Sequence, residues 1–306
     1  MSQILNPAAI KALIPNRSPY LLLDRVQIGE SGQTAEAVKN VTLNEPYFTG
    51  HFPVHPIMPG VLQIDAMCQL AALVIKHNHA DQSGIPFVYG LDKIKFRRPV
   101  TPGDRLTVQV ELGETADGKT QVTANTSVEG QVSCQAEIQI GTITEDQLQP
   151  QQMAPARRCE VDAPCLDIEG IMNAIPHRFP FLLVDRILSS EGESSIALKN
   201  ISANDHFLAG LDVDQPFVPS HFIPEIAAQA GCAYILSMPE HQGKIGYFMS
   251  IDKSVFHRPV LPGDQLLVET DVTIARGRIA KGNAKVYVGE ELVAETEIKV
   301  TIVGQE

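Results

Sequence analysis

Two stretches of this chain are apolar on nearly every side of a helix, and each is followed by long runs in which polar and apolar residues alternate. The first runs from Gly60 to Lys76 and the second from Ser220 to Met238. An all-round apolar pattern predicts helices that are buried on every face. Behind the first come Pro86–Phe96, Asp104–Leu112 and Gln121–Thr142, the last broken at Glu129-Gly130, and a similar series follows the second. Period-two alternation punctuated by glycine turns predicts an antiparallel meander. Ahead of each buried helix the pattern predicts a short helix, Pro7–Leu13 or Ile168–Ala174. A leucine-rich extended segment, Leu21–Val26 or Leu182–Ile187, and a proline-rich loop then lead into the buried run.

The two halves also repeat residue by residue, about 160 positions apart. Ile14-Pro15-Asn16-Arg17 returns as Ile175-Pro176-His177-Arg178, and Leu22-Leu23-Asp24-Arg25 as Leu183-Val184-Asp185-Arg186. Phe96-Arg97-Arg98-Pro99-Val100 returns as Phe256-His257-Arg258-Pro259-Val260, and Pro102-Gly103-Asp104 as Pro262-Gly263-Asp264. Two copies of one domain are therefore fused in tandem. Each is expected to be an α+β hotdog, a long antiparallel sheet wrapped around one buried helix, spanning 1–144 and 164–306. The segment 145–163 is polar and proline-punctuated, and reads as a linker. At roughly 3 Å per extended residue it is long enough for the domains to pair side by side as an intramolecular pseudo-dimer. One difference breaks the symmetry: Gly50-His51-Phe52-Pro53 becomes Gly210-Leu211-Asp212-Val213, so Leu211 stands where His51 would recur.

The 306 residues, 44% apolar, are enough for two domains that each bury a core. A net charge of −12 repels nucleic-acid phosphates, and no lysine or arginine run offsets it. No segment is long and apolar enough to span a bilayer, and Met1–Ile14 lacks the pattern of a signal peptide. The expected setting is the cytoplasm. Five cysteines without framework spacing fit reduced thiols there. Cys68 and Cys232 fall in the buried helices as small core residues, while Cys159 and Cys165 are too poorly spaced for a zinc site. His51 and His55 do not share a helix face either, because Pro53 and Pro56 exclude a helix there. No metal and no cofactor are expected.

The block His51-Phe52-Pro53-Val54-His55-Pro56-Ile57-Met58-Pro59-Gly60, with the helix residues up to Gln69, resembles the signature of the FabZ/FabA β-hydroxyacyl-acyl carrier protein dehydratases. The Leu-Asp-Arg, Lys-Asn-Val and Phe-Arg-Arg-Pro-Val blocks resemble that family too, across almost all of the first repeat. The second repeat matches equally well outside the loop. The resemblance implies dehydration of a (3R)-3-hydroxyacyl thioester, carried by acyl carrier protein or coenzyme A, to the trans-2-enoyl product. Such chemistry needs a base of near-neutral pKa for the C2 proton, an acid for the departing hydroxyl and fixed donors for the thioester oxygen. In the family one subunit's histidine works with the partner subunit's helix carboxylate.

That rule predicts one composite site per chain, with His51 as base and Glu225 of the second helix as acid. The opposite site combines Asp65 with Leu211, which cannot accept a proton. Asp65 becomes the acid only if first repeats pair between chains. Gly60 opens the helix whose free N–H groups suit a thioester oxygen. Ser220 replaces that glycine in the second repeat and narrows the approach, and His221, four residues before Glu225, is placed to meet its carboxylate or to enter the pocket. Arg97, Arg98 and Arg258 form a basic rim for an acidic carrier protein, and Tyr89 and Met249 stand at the far wall of an acyl tunnel. Association of pseudo-dimers into an oligomer is a further expectation of the fold. Two other functions fit the sequence: a non-catalytic or partner-dependent acyl-binding hotdog, and an acyl thioesterase.

Overall fold

The computed structural model describes residues 3–79, 84–149, 165–241, 243–275 and 278–304. The first half contains β1 (Gln3–Leu5), α1 (Pro7–Leu13), β2 (Arg25–Ile28), β3 (Thr34–Asn40), α2 (Gly60–Asn78), β4 (Ile85–Phe96), β5 (Arg105–Ala116), β6 (Lys119–Val128) and β7 (Gln131–Ile143). The second contains α3 (Ile168–Ala174), β8 (Arg186–Glu191), β9 (Ser194–Asn200), α4 (Phe222–Ser237), β10 (Lys244–Phe256), β11 (Gln265–Ala275), β12 (Ile279–Val288) and β13 (Glu291–Gly304).

Local chemistry sets many of these boundaries. Asn6 caps α1 by accepting the Ala9 N–H, with Pro7 at the first helical position, and Asp167 caps α3 through the Gly170 N–H. The turns joining β5 to β6 and β6 to β7 are Asp117-Gly118 and Glu129-Gly130, all four residues at positive φ. Two-residue turns of that conformation match the twist of a hairpin. The meander predicted from alternation is thus present, with β4 to β7 at almost the expected limits. The extended segments Leu21–Val26 and Leu182–Ile187 become strands only from Arg25 and Arg186 onward.

All thirteen strands form one antiparallel sheet in the order β1-β2-β3-β5-β6-β7-β4-β10-β13-β12-β11-β9-β8. The order reads nearly the same from either end, because the halves join edge to edge through β4 and β10. There Leu91 pairs with Ser254 and Ile94 with Ile251, and Asp92 pairs with Lys253, the repeat-two equivalent of Lys93. The halves therefore face each other about an approximate two-fold axis, as a hotdog dimer does within one chain. In each half the sheet curls around its helix; from Val61 to Val74 every residue of α2 is buried. Loss of that apolar contact with water is what holds helix and sheet together.

Of the predicted linker, Glu145–Leu148 forms a 3-10 turn closed by a capping box from Thr144 and Gln147, with Leu148 buried in the core. Residues 150–164, including Cys159, lie outside the described residues. Cys68 is buried, Cys232 is partly exposed to a cleft described below, and Cys165 is exposed.

Candidate active site

An open cleft of about 770 Å³ runs between the halves. The first half contributes His51, Gly60 and Phe96 to its walls, and the second contributes His177, Glu225 and Phe248. The structure thus brings together the histidine of one repeat and the helix carboxylate of the other.

His51 follows a 3-10 turn, Pro46–Thr49, and its backbone N–H donates to Tyr47 O at 2.9 Å. Its Nδ1 lies 2.8 Å from Ile57 O. A carbonyl only accepts, so Nδ1 carries the proton and Nε2 is left with its lone pair. Burial disfavours the imidazolium and lowers the pKa to about 4, against the opposing pull of the Ile57 hydrogen bond. The ring is neutral near pH 7 and able to accept a proton.

Glu225 lies in the first turn of α4 and is 2% exposed. Burial raises its pKa to about 7, while a hydrogen bond from Gln229 lowers it somewhat. Gln229 is itself clamped. Its amide oxygen accepts the Leu183 N–H at 2.8 Å, and its Nε2 donates to Phe181 O at 2.9 Å and to Glu225 Oε1 at 2.7 Å. The segment from Phe181 to Leu183 therefore fixes the carboxyl's orientation through one side chain. Within the cleft, Glu225 is a carboxyl that holds its proton close to neutral pH and His51 is a base that does not.

His177 is a cleft residue that the sequence did not single out. Its Nε2 stands 3.6 Å from Glu225 Oε1, and its ring meets that of His51 edge-on at 5.4 Å between centroids. Its Nδ1 is buried without a hydrogen-bond partner among the described residues. The available signal was the contrast between Asn16 and His177 inside an otherwise shared Ile-Pro-x-Arg block.

The start of α2 opens on the same cleft. A side chain at Gly60 would place its Cβ 2.8 Å from Phe96 Cε1, so glycine permits the close approach of that ring. The first N–H groups of a helix have no intrahelical acceptor and suit a partially negative oxygen. His51 and these donors belong to the same repeat, and only the carboxyl crosses over.

For that reason Ser220 and His221 are not brought to the cleft, contrary to the sequence expectation. Both sit at the start of α4, on the side of the molecule that faces α2. Ser220 Oγ donates to Val88 O of β4 at 2.9 Å, which ties the helix start of the second half to the sheet of the first. His221 Nε2 lies 3.6 Å from Asp65 Oδ2, not against Glu225. Burial raises the Asp65 pKa to about 8 and lowers that of His221 to about 3, so the contact joins two neutral groups. Gln69 holds Asp65 as Gln229 holds Glu225, donating to Asp65 Oδ2 at 3.0 Å and to Tyr20 O at 2.8 Å. Leu211 occupies the position of His51 and forms a β-bridge with Asn16.

Arg97 and Arg98 stand at the mouth of the cleft and reach the amide oxygens of Gln135 and Gln131. Arg258 stands elsewhere, bonded to Glu291 at 2.8 Å and to Asp264 at 3.3 Å. Tyr89 is also away from the cleft. Its ring packs edge-on against Phe87 beneath the Lys119 ammonium, and its hydroxyl donates to Thr142 O. Met249, its counterpart in the second half, does line the cleft. Among the described residues no group of three or more His, Cys, Asp or Glu is placed to hold a metal, and no helix is long and apolar enough to cross a membrane.

Known proteins resemble the chain at two levels. A 3-hydroxyacyl-[acyl-carrier-protein] dehydratase FabZ of Desulforamulus reducens is 47% identical over 138 residues, which cover 45% of this chain and 97% of that protein. One of Pelotomaculum thermopropionicum is 45% identical over 138 residues, covering 45% and 99%. Those relatives match one half of this chain in length. Among solved structures, the dehydratase domain from the CurJ module of curacin polyketide synthase superposes with a TM-score of 0.62 at 13% identity, over 92% of this chain and 96% of that one. The dehydratase domain of RzxB from Pseudomonas fluorescens gives 0.60 at 12% identity, over 92% and 98%. These two share the whole two-hotdog fold. The profile of the FabA-like domain matches twice, at residues 14–137 and 175–297, and the chain therefore belongs to the FabA-like family as a tandem of two such domains.

Proposed function

We infer that the chain dehydrates (3R)-3-hydroxyacyl thioesters to trans-2-enoyl thioesters at one composite site, in fatty-acid or polyketide synthesis, with acyl carrier protein as the natural carrier. The observation that carries this reading is the pairing, in one cleft, of a histidine whose Nε2 is free with a carboxyl from the other half whose pKa is raised to about 7. The FabZ relatives support the reaction type, and the duplication supports a site shared between halves.

In this reading His51 Nε2 takes the C2 proton, and charge develops on the thioester oxygen against the N–H groups at the start of α2. The electron pair closes the C2–C3 double bond as the C3–O bond breaks, and the Glu225 proton leaves with the hydroxyl as water. His51 is then an imidazolium and Glu225 a carboxylate. His177, next to both, offers the short route by which the proton returns. No electrons are exchanged with a second reactant, so the reaction calls for no redox cofactor. Asp65 and His221, both buried and lacking a counterpart of His51, take no part in it. Arg97 and Arg98 at the mouth supply positive charge for an acidic carrier.

Incubation of the purified chain with a 3-hydroxyacyl carrier-protein thioester, followed by mass spectrometry of the carrier, tests the reaction type. Loss of water from the acyl group is expected. Release of free carrier thiol would instead make it a thioesterase, and unchanged substrate would favour a non-catalytic acyl-binding role.

A further inference from the structure

The backbone ties that hold His177 are repeated around Asn16, its counterpart in the first half. The Arg178 N–H donates to Gly50 O at 3.0 Å, and the Arg17 N–H to Gly210 O at 2.7 Å. Arg178 folds back onto Ile175 O and His177 O as Arg17 does onto Ile14 O and Asn16 O. On both faces of the molecule this scaffold sets position 16 or 177 of one half against position 211 or 51 of the other. The cleft side holds two histidines there, and the opposite side an asparagine against a leucine. A scaffold that accepts asparagine as readily does not need the histidine for its fold, which points to a chemical reason for His177.

That reason lies in which nitrogen carries the ring proton. His177 is 7% exposed, and burial, with His51 and the Arg178 guanidinium alongside, keeps the ring neutral by holding its pKa well below the usual range. Its Nδ1 has no hydrogen-bond partner among the described residues, and a buried N–H without an acceptor is costly. The proton therefore sits on Nε2, which lies 3.6 Å from Glu225 Oε1. The same oxygen already accepts from Gln229 Nε2 at 2.7 Å. An oxygen that faces two N–H groups is the carbonyl oxygen of the acid, so the transferable proton is on Oε2. At 3.6 Å the His177 N–H is too far for a hydrogen bond to the neutral acid. It gains most when negative charge forms on that oxygen, and an interaction stronger in the transition state than in the ground state accelerates the step. The titratable and charged groups facing this pair are Arg178 of the same loop, His51 of the first half and, on α4 beyond the carboxyl, the Cys232 thiol.

We propose that His177 is a positioning residue for the acid: with Gln229 it reserves Oε1 of Glu225, so that Oε2 presents the proton to the departing hydroxyl, and its Nε2–H steadies the carboxylate left behind. The proposal rests on the dehydratase reading of the cleft. The half that lost its base thereby supplies both the acid and the group that tunes it.

The test compares three variants, with folding checked by thermal denaturation. His177→Asn installs the first half's residue, His177→Gln returns a side-chain N–H near the place of Nε2, and His221→Asn removes the histidine beside the unused Asp65. For a 3-hydroxyacyl carrier-protein thioester the proposal expects kcat reduced about tenfold or more in His177→Asn, with KM within about twofold of wild type. His177→Gln is expected to recover kcat to within about threefold, and His221→Asn to stay within about twofold. Equal losses in His177→Asn and His177→Gln, a matching loss in His221→Asn, a change confined to KM, or an unchanged kcat in His177→Asn overturns it. Infrared titration of the Glu225 carboxyl, isolated as the band that Glu225→Gln deletes, separates this claim from the reaction itself. Loss of the N–H that steadies the carboxylate is expected to raise the Glu225 pKa by about one unit in His177→Asn, the equivalent of that tenfold, and His177→Gln to restore it. That rise supports the positioning role even in a chain that dehydrates nothing, and an unmoved or lowered pKa refutes it even in an active dehydratase.

Discussion

His51 and Glu225 owe their proposed roles to burial acting in opposite directions on a base and an acid. Burial lowers the histidine's pKa to about 4 and raises the carboxyl's to about 7. Between those values one group is neutral and free to accept a proton while the other still holds one. The pH profile of kcat/KM is accordingly expected to rise through about pH 4 and fall through about pH 7, and a profile still rising at pH 9 would contradict the assignment. Each also contributes to the pH dependence of stability, with opposite sign. Between pH 4.5 and 7 the folded chain keeps a proton on Glu225 that the unfolded chain releases, so the Glu225 contribution falls with rising pH across that window, whereas that of His51, neutral when folded and protonated when unfolded between about pH 4 and 6.5, rises. Glu225→Gln is therefore expected to stabilise the fold at pH 8 by on the order of 3 kcal/mol and to change little at pH 4, measured by urea unfolding at both. At this scale motif and duplication single out His51, Asp65 and Glu225 in the sequence, and the structure puts His51 and Glu225 along one cleft while Asp65 lies against His221. His177 and the true neighbour of His221 were hidden, since each contact joins segments that only the paired halves bring together.

At the scale of elements, each buried helix is pinned by a glutamine to the loop that precedes the sheet. Gln69 bonds the Leu22 N–H, Tyr20 O and Asp65, and Gln229 bonds the Leu183 N–H, Phe181 O and Glu225. Removing either side chain leaves buried backbone groups unpaired, at about 1–3 kcal/mol for each. Gln69→Ala and Gln229→Ala are expected to lower the unfolding midpoint by similar amounts, while only Gln229→Ala also lowers kcat, because it alone orients the proposed acid. Equal kcat losses in the two would show the effect to be structural. The helices and β4 to β7 were legible because all-round apolar runs and strict alternation are strong signals. β3, Thr34–Asn40, was not, since alanine, glutamate and lysine in that stretch are poor strand formers and only its pairing with β2 and β5 holds it extended.

The whole molecule is a dimer made within one chain, and its two faces have diverged. On the cleft side, Arg97 and Arg98 reach the neutral amides of Gln135 and Gln131. On the other side the equivalent His257 and Arg258 contact Glu295 and Glu291. Positive charge is thus left available where the cleft opens and offset where it does not. Arg97→Ala/Arg98→Ala is expected to raise KM about tenfold for a carrier-protein thioester and to leave that for a pantetheine thioester within about twofold, with the carrier effect fading at high salt. Equal KM changes for both would place these arginines outside the docking surface. The tandem fold was readable from the repeat alone, but the crossing of functions between halves was only partly so. Ser220 and His221 seemed to belong with Glu225 because they adjoin it in sequence, whereas the helix start that faces His51 is the one in its own repeat, at Gly60.

The claim on which the account turns is that one live site is assembled from His51 and Glu225 within a single chain. Turnover of a 3-hydroxyacyl carrier-protein thioester by wild type, Glu225→Gln and Asp65→Asn, at matched folding and protein concentration, tests it directly. The account predicts a loss of about a hundredfold or more in Glu225→Gln and near-wild-type turnover in Asp65→Asn. Loss in Asp65→Asn with activity retained in Glu225→Gln would contradict it and assign the site to first repeats paired between chains.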